Sequence, residues 1–549
     1  MSSVITWGDE VVTGLVHGHP NLVYRDRPKS IMAAVTGARR WAHRPFIRHG
    51  ARTVTFAEHE RMVCCFAKFL QDNGVQRGDR VGIYSANNPE WVAMFFAIIA
   101  LGGIAVPFNG WWSAEEVQNA CAVTAPALIV VDEARATRAP ADVLHLRPPA
   151  LGAGEPAGWN GLAEESEQFD EDATAVILFT AGTTSFPKGA ILSHRALVAN
   201  LQNLLNVSRK LPHQISDDNA PSVALVGLPL FHIGAIQLIL VPLMTGSEII
   251  FLEGRFDAGD VLSLITTRGV TMFSGVPTMM ERLLSHEDIA GRDLHTLRTV
   301  VLGGAPVDEK LLTRVRAAFP GTKRGVGQTY GLTEAGGVVS TGVGADIASH
   351  PGSSGRLAPV VEVRVDCPDS NGNGELLFRS PAAMDGYWGV SDDDTVSPEG
   401  WVRTGDLGHV DHDGFLYVTG RAKDVIIRGG ENIAAARVES VLRMHPAVQD
   451  VAVIGLPDPD LGQIVAAIIE VRGPLRPTAA ELESFAADSL ARFAVPARWW
   501  IRSEPLPVND AGKILKRDLL RDWLDEEAGG LDVSLAVGDL IGGKKTNGL

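Results

Sequence analysis

The chain has 549 residues, too many for one hydrophobic core, so a division into roughly 100–200-residue units is expected. Hydrophobic residues make up 45% and charged residues 21%, which excludes a disordered or fibrous chain. A formal net charge of -16 excludes a general surface for polyanions: no nucleic-acid partner is expected, and any bound phosphate must be held by local charges.

The first twenty residues, MSSVITWGDEVVTGLVHGHP, place acidic and polar groups where a secretion signal needs a basic start and an apolar run, so export by that route is not expected. The four cysteines, Cys64, Cys65, Cys121 and Cys367, have neither zinc-site spacing nor the density of a disulfide scaffold, and a reducing, cytoplasmic setting fits them. Trp91 to Phe108 carries no charge and approaches membrane-spanning length. Asn88-Pro89-Glu90 reads as a helix start and Gly102-Gly103 as its end, however, so a buried helix running into a strand at Ile104 is expected and no transmembrane segment.

Short β-branched runs follow at Arg80 to Tyr84, Ala127 to Val131, Ala175 to Thr180, Ser222 to Leu228, Glu248 to Leu252, Met272 to Ser274 and Thr299 to Leu302. They alternate with amphipathic stretches such as Ala258 to Arg268 and Val307 to Phe319, the pattern of α/β layering. From Gly355 the texture changes to Gly- and Asp-rich turns between short strands. Near Lys423 a new unit begins, with strands near Val425 to Ile427, Val448 to Ile454 and Val465 to Val471 and helices near Val438 to Met444 and Ala479 to Leu490. The expected fold is α/β: a large N-terminal domain, 1–422, of layered α/β sheets with a β-rich subdomain at about 355–420, then a small mobile C-terminal α+β domain, 423–527. The pattern-poor tail, 528–549, is expected to be flexible.

Chemistry-bearing residues fall in a definite order. Thr180-Ala-Gly-Thr-Thr-Ser-Phe-Pro-Lys-Gly189 follows an apolar strand: Gly182 allows close backbone approach to phosphate oxygens, Thr183 and Thr184 donate, and Lys188 brings charge. It is not a Walker loop, since Pro187 precedes the lysine and Gly189 follows it. In Gly327-Gln-Thr-Tyr-Gly-Leu-Thr-Glu334, Tyr330 offers a ring for a purine, Thr333 a hydroxyl for phosphate and Glu334 a carboxylate for Mg²⁺. Asp406, on the Thr404-Gly405-Asp406 turn, offers a carboxylate for the two hydroxyls of a ribose. Arg421 and Lys423 then fall at the apparent domain junction, Gly429-Gly430 follows, and Lys513 lies on a Gly-containing loop.

In this order and approximate spacing the segments resemble the signatures of the adenylate-forming superfamily, whose members include acyl-CoA synthetases, peptide-synthetase adenylation domains and luciferases. The resemblance spans about residues 50–525 and includes Pro229-Leu230-Phe231-His232 and Gly303-Gly304-Ala305-Pro306. It implies an ATP-dependent acid–thiol ligase that uses Mg²⁺ and coenzyme A, forms an acyl-adenylate, and takes a small-molecule carboxylic acid as substrate. By resemblance, Thr180, Gly182, Thr183, Thr184 and Lys188 bind phosphates. Gly304, Ala305, Pro306, Gln328, Thr329, Tyr330 and Gly331 frame the nucleotide, with Thr333 near the α-phosphate and Glu334 at the metal. Asp406 binds ribose, Arg421 contacts ribose or phosphate, Lys423 is the hinge, and Gly429 and Gly430 face CoA. Catalytic roles fall to Lys513, Thr184, Glu334 and His232.

The acyl pocket implied draws on Phe231, His232, Gly275, Val276, Gly303, Gly325, Val326 and Gly327, an apolar, glycine-rich set suited to a fatty, aryl or polycyclic acid. The amino-acid-activating branch carries a carboxylate where this chain has His232, which disfavours an α-amino acid. Ala181 and Ser185 replace the Ser and Gly usual in the phosphate loop, while Ala435 and Arg437 replace Pro and Glu near a helix start. A carrier-protein ligase is the alternative to CoA transfer, although the insertion usual in that branch is not visible. A non-catalytic acyl-nucleotide sensor is a further alternative.

Overall fold

A computed structural model describes residues 7–149, 170–180, 187–322, 325–391, 394–428, 431–509 and 513–528. The expected contacts of Gly182, Thr183, Thr184, Gly429 and Gly430, and the tail from residue 529, lie outside the described residues. The chain forms two compact units, one of Met1–Arg364, Leu377–Thr404 and Val410–Leu416, the other of Val365–Leu376, Gly405–His409 and Tyr417–Leu549. The Gly- and Asp-rich segment 355–420 contributes to both.

In the first unit, one sheet runs in the order Arg356–Leu357, Gly337–Val343, Val326–Leu332, Thr299–Leu302, Met272–Gly275, Val223–Val226, Glu248–Phe251, Pro45–His49, Arg52–Thr55. Its interior, from Val326–Leu332 to Pro45–His49, is parallel. A second sheet runs Lys188–Ser193, Thr174–Thr180, Ile104–Pro107, Arg80–Tyr84, Leu128–Val131, His145–Leu146, with an antiparallel pair at the Lys188 edge.

The side-chain period of two assigns each strand to two cores. Ala224 and Val226 face the core between the sheets and Leu225 the opposite one; Ile249 and Phe251 against Ile250 repeat the pattern. Likewise Leu128 and Val130 point into the shared core, Ile129 and Val131 out of it. Helices Phe56–Asp72, Pro89–Ala100, His194–Val207 and Ile233–Thr245 fill that shared layer. In Pro89–Ala100 every residue but Glu90 is buried; Asn88 accepts a hydrogen bond from Trp91 N at 2.7 Å, and Gly102 (φ +71°) turns the chain into the strand. A helix covered on both sides explains the uncharged run there. Among the described residues no helix is long and apolar enough to cross a membrane.

The second unit carries a sheet in the order Glu431–Ala434, Val425–Arg428, Gly462–Val471, Val448–Asp458, with Arg498–Arg502 parallel to Gly462–Val471. Val451 and Val453 face helices Ala435–Arg443 and Ala479–Ala487, while Ala452 and Ile454 face helix Lys516–Ala528 through Leu519 and Trp523.

Buried in the shared core, His59 stands edge-on to Phe46 and Phe96, with ring centroids 5.0 and 5.7 Å away. Burial pushes its pKa down to about 3, and burial with a nearby Arg77 pushes that of His194 down to about 4. Both are neutral when folded and gain protons on unfolding below their ordinary 6.5, so the stability they contribute is complete above that pH and is lost as pH falls toward 3. Thermal unfolding should therefore shift to lower temperature between pH 7 and 4, and His59→Leu should make the shift shallower. Equal pH slopes for the two proteins would count against this assignment.

Candidate active site

Four neighbouring parallel strands, Val223–Val226, Met272–Gly275, Thr299–Leu302 and Val326–Leu332, end on the same edge of their sheet. The carboxyl edge of such a sheet is where open α/β folds bind ligands. At these ends lie Gly275 and Tyr330 to Leu332, and beyond them Phe231 and His232, Val276, Gly303 to Pro306, and Thr333 and Glu334. Backbone crowding fixes the glycines: a Cβ on Gly303 would lie 2.7 Å from Thr329 Cγ2 and 2.8 Å from its carbonyl oxygen, and Gly304 has φ +77°. The Gly303 N–H donates to Gly275 O at 3.1 Å, tying two strand ends together.

Asn87 sets the Pro229–His232 turn: its Nδ2 donates to Leu228 O at 2.8 Å and its Oδ1 accepts from Leu230 N at 2.9 Å. The Phe231 ring contacts His232 (4.4 Å between centroids) and, edge to face, Trp111 (5.5 Å). Trp111 is 37% exposed, an apolar rim residue that carried no motif and so was not legible in the sequence. Gly325, Val326 and Gly327 are not brought to this edge. They open their strand, where Val326 is buried in the outer core and Cβ atoms on Gly325 and Gly327 would lie 1.9 and 2.2 Å from the carbonyl oxygens of Arg298 and Gly342. Close strand approach accounts for those two glycines.

Of the phosphate-loop residues, Thr180 and Lys188 are described. They face each other across an antiparallel pair of strands. Thr180 Oγ1 is buried and has no hydrogen-bond partner among the described residues, as suits a hydroxyl reserved for a ligand. Lys188 Nζ lies 4.8 Å from the centroid of the Tyr387 ring, and the Tyr387 hydroxyl donates to Glu334 Oε1 at 2.9 Å. Tyr387 thus links a lysine and a carboxylate separated by 146 positions, and nothing in its sequence context marked it. Gln328 and Thr329 spend their side chains on the carbonyl oxygens of Ser353 and Ser340, the latter at 3.0 Å. Tyr330 leans on Phe378, with centroids 6.0 Å apart.

Within the second unit, Asp406 is buried and accepts from Arg421 Nε at 2.8 Å, which orients the carboxylate. Lys513 is exposed on a loop closed by Asn509, whose Oδ1 accepts from Lys513 N at 2.9 Å and whose N–H donates to Lys513 O at 2.8 Å. Lys516, overlooked in the sequence, pairs with buried Glu439 at 2.7 Å and Asp424 at 3.7 Å, tying that loop to the segment beside Lys423. Arg437 is exposed and reaches Ser489 O at 3.5 Å. Among the described residues no cluster of three or more His, Cys, Asp or Glu side chains is arranged to hold a metal.

Loop residues gathered at the carboxyl edge of a parallel sheet are the arrangement of a ligand-binding α/β enzyme. The chain belongs to the AMP-binding enzyme family, whose profile matches residues 35–388, with the family's C-terminal domain at 437–513. It is similar to a feruloyl-CoA synthase of Amycolatopsis sp., 35% identical over 89% of this chain and 97% of the relative. A fatty acid–[acyl-carrier-protein] ligase, ScoC of Streptomyces coeruleorubidus, is 31% identical over 88% of this chain and 94% of the relative. Among solved structures, o-succinylbenzoate CoA synthetase of Bacillus subtilis with its acyl-adenylate intermediate superposes with TM-score 0.75 at 28% identity, covering 90% of this chain and 98% of that one.

The turn that presents Glu334 depends on Gly336, which has φ +77° and whose Cβ would lie 1.6 Å from Ala382 O. Gly336→Ala should cost about 1–3 kcal/mol of stability from the left-handed backbone alone, read as a lowered unfolding temperature. An unchanged midpoint would show that the turn tolerates a side chain.

Proposed function

We propose that the protein is an ATP-dependent acyl-CoA synthetase: carboxylic acid, ATP and CoA yield acyl-CoA, AMP and pyrophosphate through an acyl-adenylate. The observation that carries this reading is the convergence of Lys188 and Glu334 on Tyr387 in a chain of the AMP-binding family. Thr180, Lys188 and Thr333 serve the phosphates, Gly304 to Pro306 and Tyr330 the adenine, and Asp406 with Arg421 the ribose. A single carboxylate fits Mg²⁺, which takes one or two protein carboxylates and completes its shell with phosphate oxygens and water. Bound there, Mg²⁺ offsets charge on the phosphates. Lys513 stabilises the negative charge that builds on the α-phosphate as the acid's carboxylate attacks and pyrophosphate departs. Residues 423–527 form the mobile C-terminal domain, with Lys423 as hinge.

The acid is fatty, aryl or polycyclic. The Trp111–Phe231–His232 rim and the feruloyl-CoA synthase relative favour an aryl acid, and no carboxylate occupies position 232 to pair with an α-ammonium group. The ScoC relative supports a second reading, transfer to a carrier protein.

Purified protein incubated with ATP, Mg²⁺ and a panel of aryl, fatty and steroid-type acids should release pyrophosphate and, with CoA, form thioester. Lys513→Ala should lower pyrophosphate release by roughly two to three orders of magnitude. Pyrophosphate without thioester would move the acceptor to a carrier protein, and full activity in Lys513→Ala would refute the assigned role of the lysine.

A further inference from the structure

The segment Asp385 to Trp388 lies along the outer edge of strand Lys188–Ser193. Asp385 N donates to Ile191 O at 3.0 Å, Ile191 N to Gly386 O at 3.0 Å and Trp388 N to Gly189 O at 2.8 Å. Tyr387 sits opposite Ala190 in this pairing. Two further contacts hold the segment at its ends: His17 Nε2 lies 2.9 Å from Asp385 Oδ1, and the Arg80 guanidinium sits over the Trp388 ring at 5.6 Å. The backbone position of Tyr387 is therefore set by groups other than its own side chain. That side chain is left to act on its neighbours.

We infer that Tyr387 is a positioning residue of the phosphate and metal end of the site, its hydroxyl orienting the Glu334 carboxylate and its ring face seating the Lys188 ammonium. The inference rests on the adenylate-forming reading. The hydroxyl occupies one carboxylate oxygen at 2.9 Å and leaves Oε2 and the remaining lone pairs for a cation, the way an outer partner fixes a metal-binding side chain. The ring offers the lysine its negative face at 4.8 Å. A single neutral side chain thereby meets two opposite charges at one end of the site. The Met384 N–H, donating to Glu334 O at 3.0 Å, holds the Glu334 backbone to the residue preceding the segment.

Two substitutions separate the two contacts. Tyr387→Phe keeps the ring and removes the hydroxyl, whereas Tyr387→Leu removes both. ATP binding is measured by titration calorimetry, without acid substrate, in EDTA and across a range of MgCl₂. In Tyr387→Phe the Mg²⁺ concentration for half-maximal enhancement of ATP binding should rise about tenfold, while affinity in EDTA stays within about twofold of wild type because the ring remains. Tyr387→Leu should also lose affinity in EDTA by a factor of about three to ten. A wild-type Mg²⁺ dependence in Tyr387→Phe overturns the inference while leaving the functional reading intact. Failure of the wild-type protein to bind ATP overturns both. If Tyr387→Leu does not fold, Tyr387→Phe alone decides the matter, its melting temperature certifying the fold.

Discussion

Attack of one anion on another requires positive charge at one point, and a chain of net charge -16 supplies none through its overall field. The fold meets this requirement by placement. Parallel strands deliver loop residues to a common edge, and strand Lys188–Ser193, antiparallel to Thr174–Thr180, starts at Lys188. Glu334 follows a strand whose glycines let neighbouring backbones close in. A Cβ at Gly303 would crowd Thr329 and one at Gly336 would crowd the Ala382 carbonyl oxygen.

The same logic explains why polar groups near the site are spent on backbone. Gln328 and Thr329 hold the carbonyl oxygens of adjacent strands, and Asn87 pins the turn that ends in His232. Asp406 takes its orientation from Arg421, and Lys513 hangs on a loop closed by Asn509. In each case a hydrogen bond or ion pair within the protein fixes a group at or beside the site. Such preorganisation spares the reaction the cost of ordering its own surroundings.

Much of this was legible in the sequence. The helix Ala258–Arg268 and the strand Thr299–Leu302 are bounded as the apolar periodicity implied, because each has a plain start, a plain stop and one or two buried faces. The uncharged stretch from Trp91 is a helix enclosed by sheets, as its Asn-Pro start and Gly-Gly end indicated. What escaped notice had no local signal. Tyr387 matters through a partner at position 334 and another at 188, and Lys516 through Glu439. Trp111 matters through Phe231, and periodicity within one element says nothing about such pairings. Glycine-rich runs misled in the other direction: Gly325 and Gly327 suggested space for a ligand, whereas neighbouring carbonyl oxygens already fill it.

In the adenylation step the acid's carboxylate oxygen attacks the α-phosphate of ATP. Carboxyl-¹⁸O-labelled ferulate, or the acid that best drives pyrophosphate release, tests this directly when AMP and pyrophosphate are analysed by mass spectrometry after turnover with CoA. One ¹⁸O atom is expected in AMP and none in pyrophosphate. Label in orthophosphate or pyrophosphate, or unlabelled AMP formed alongside thioester, would contradict it.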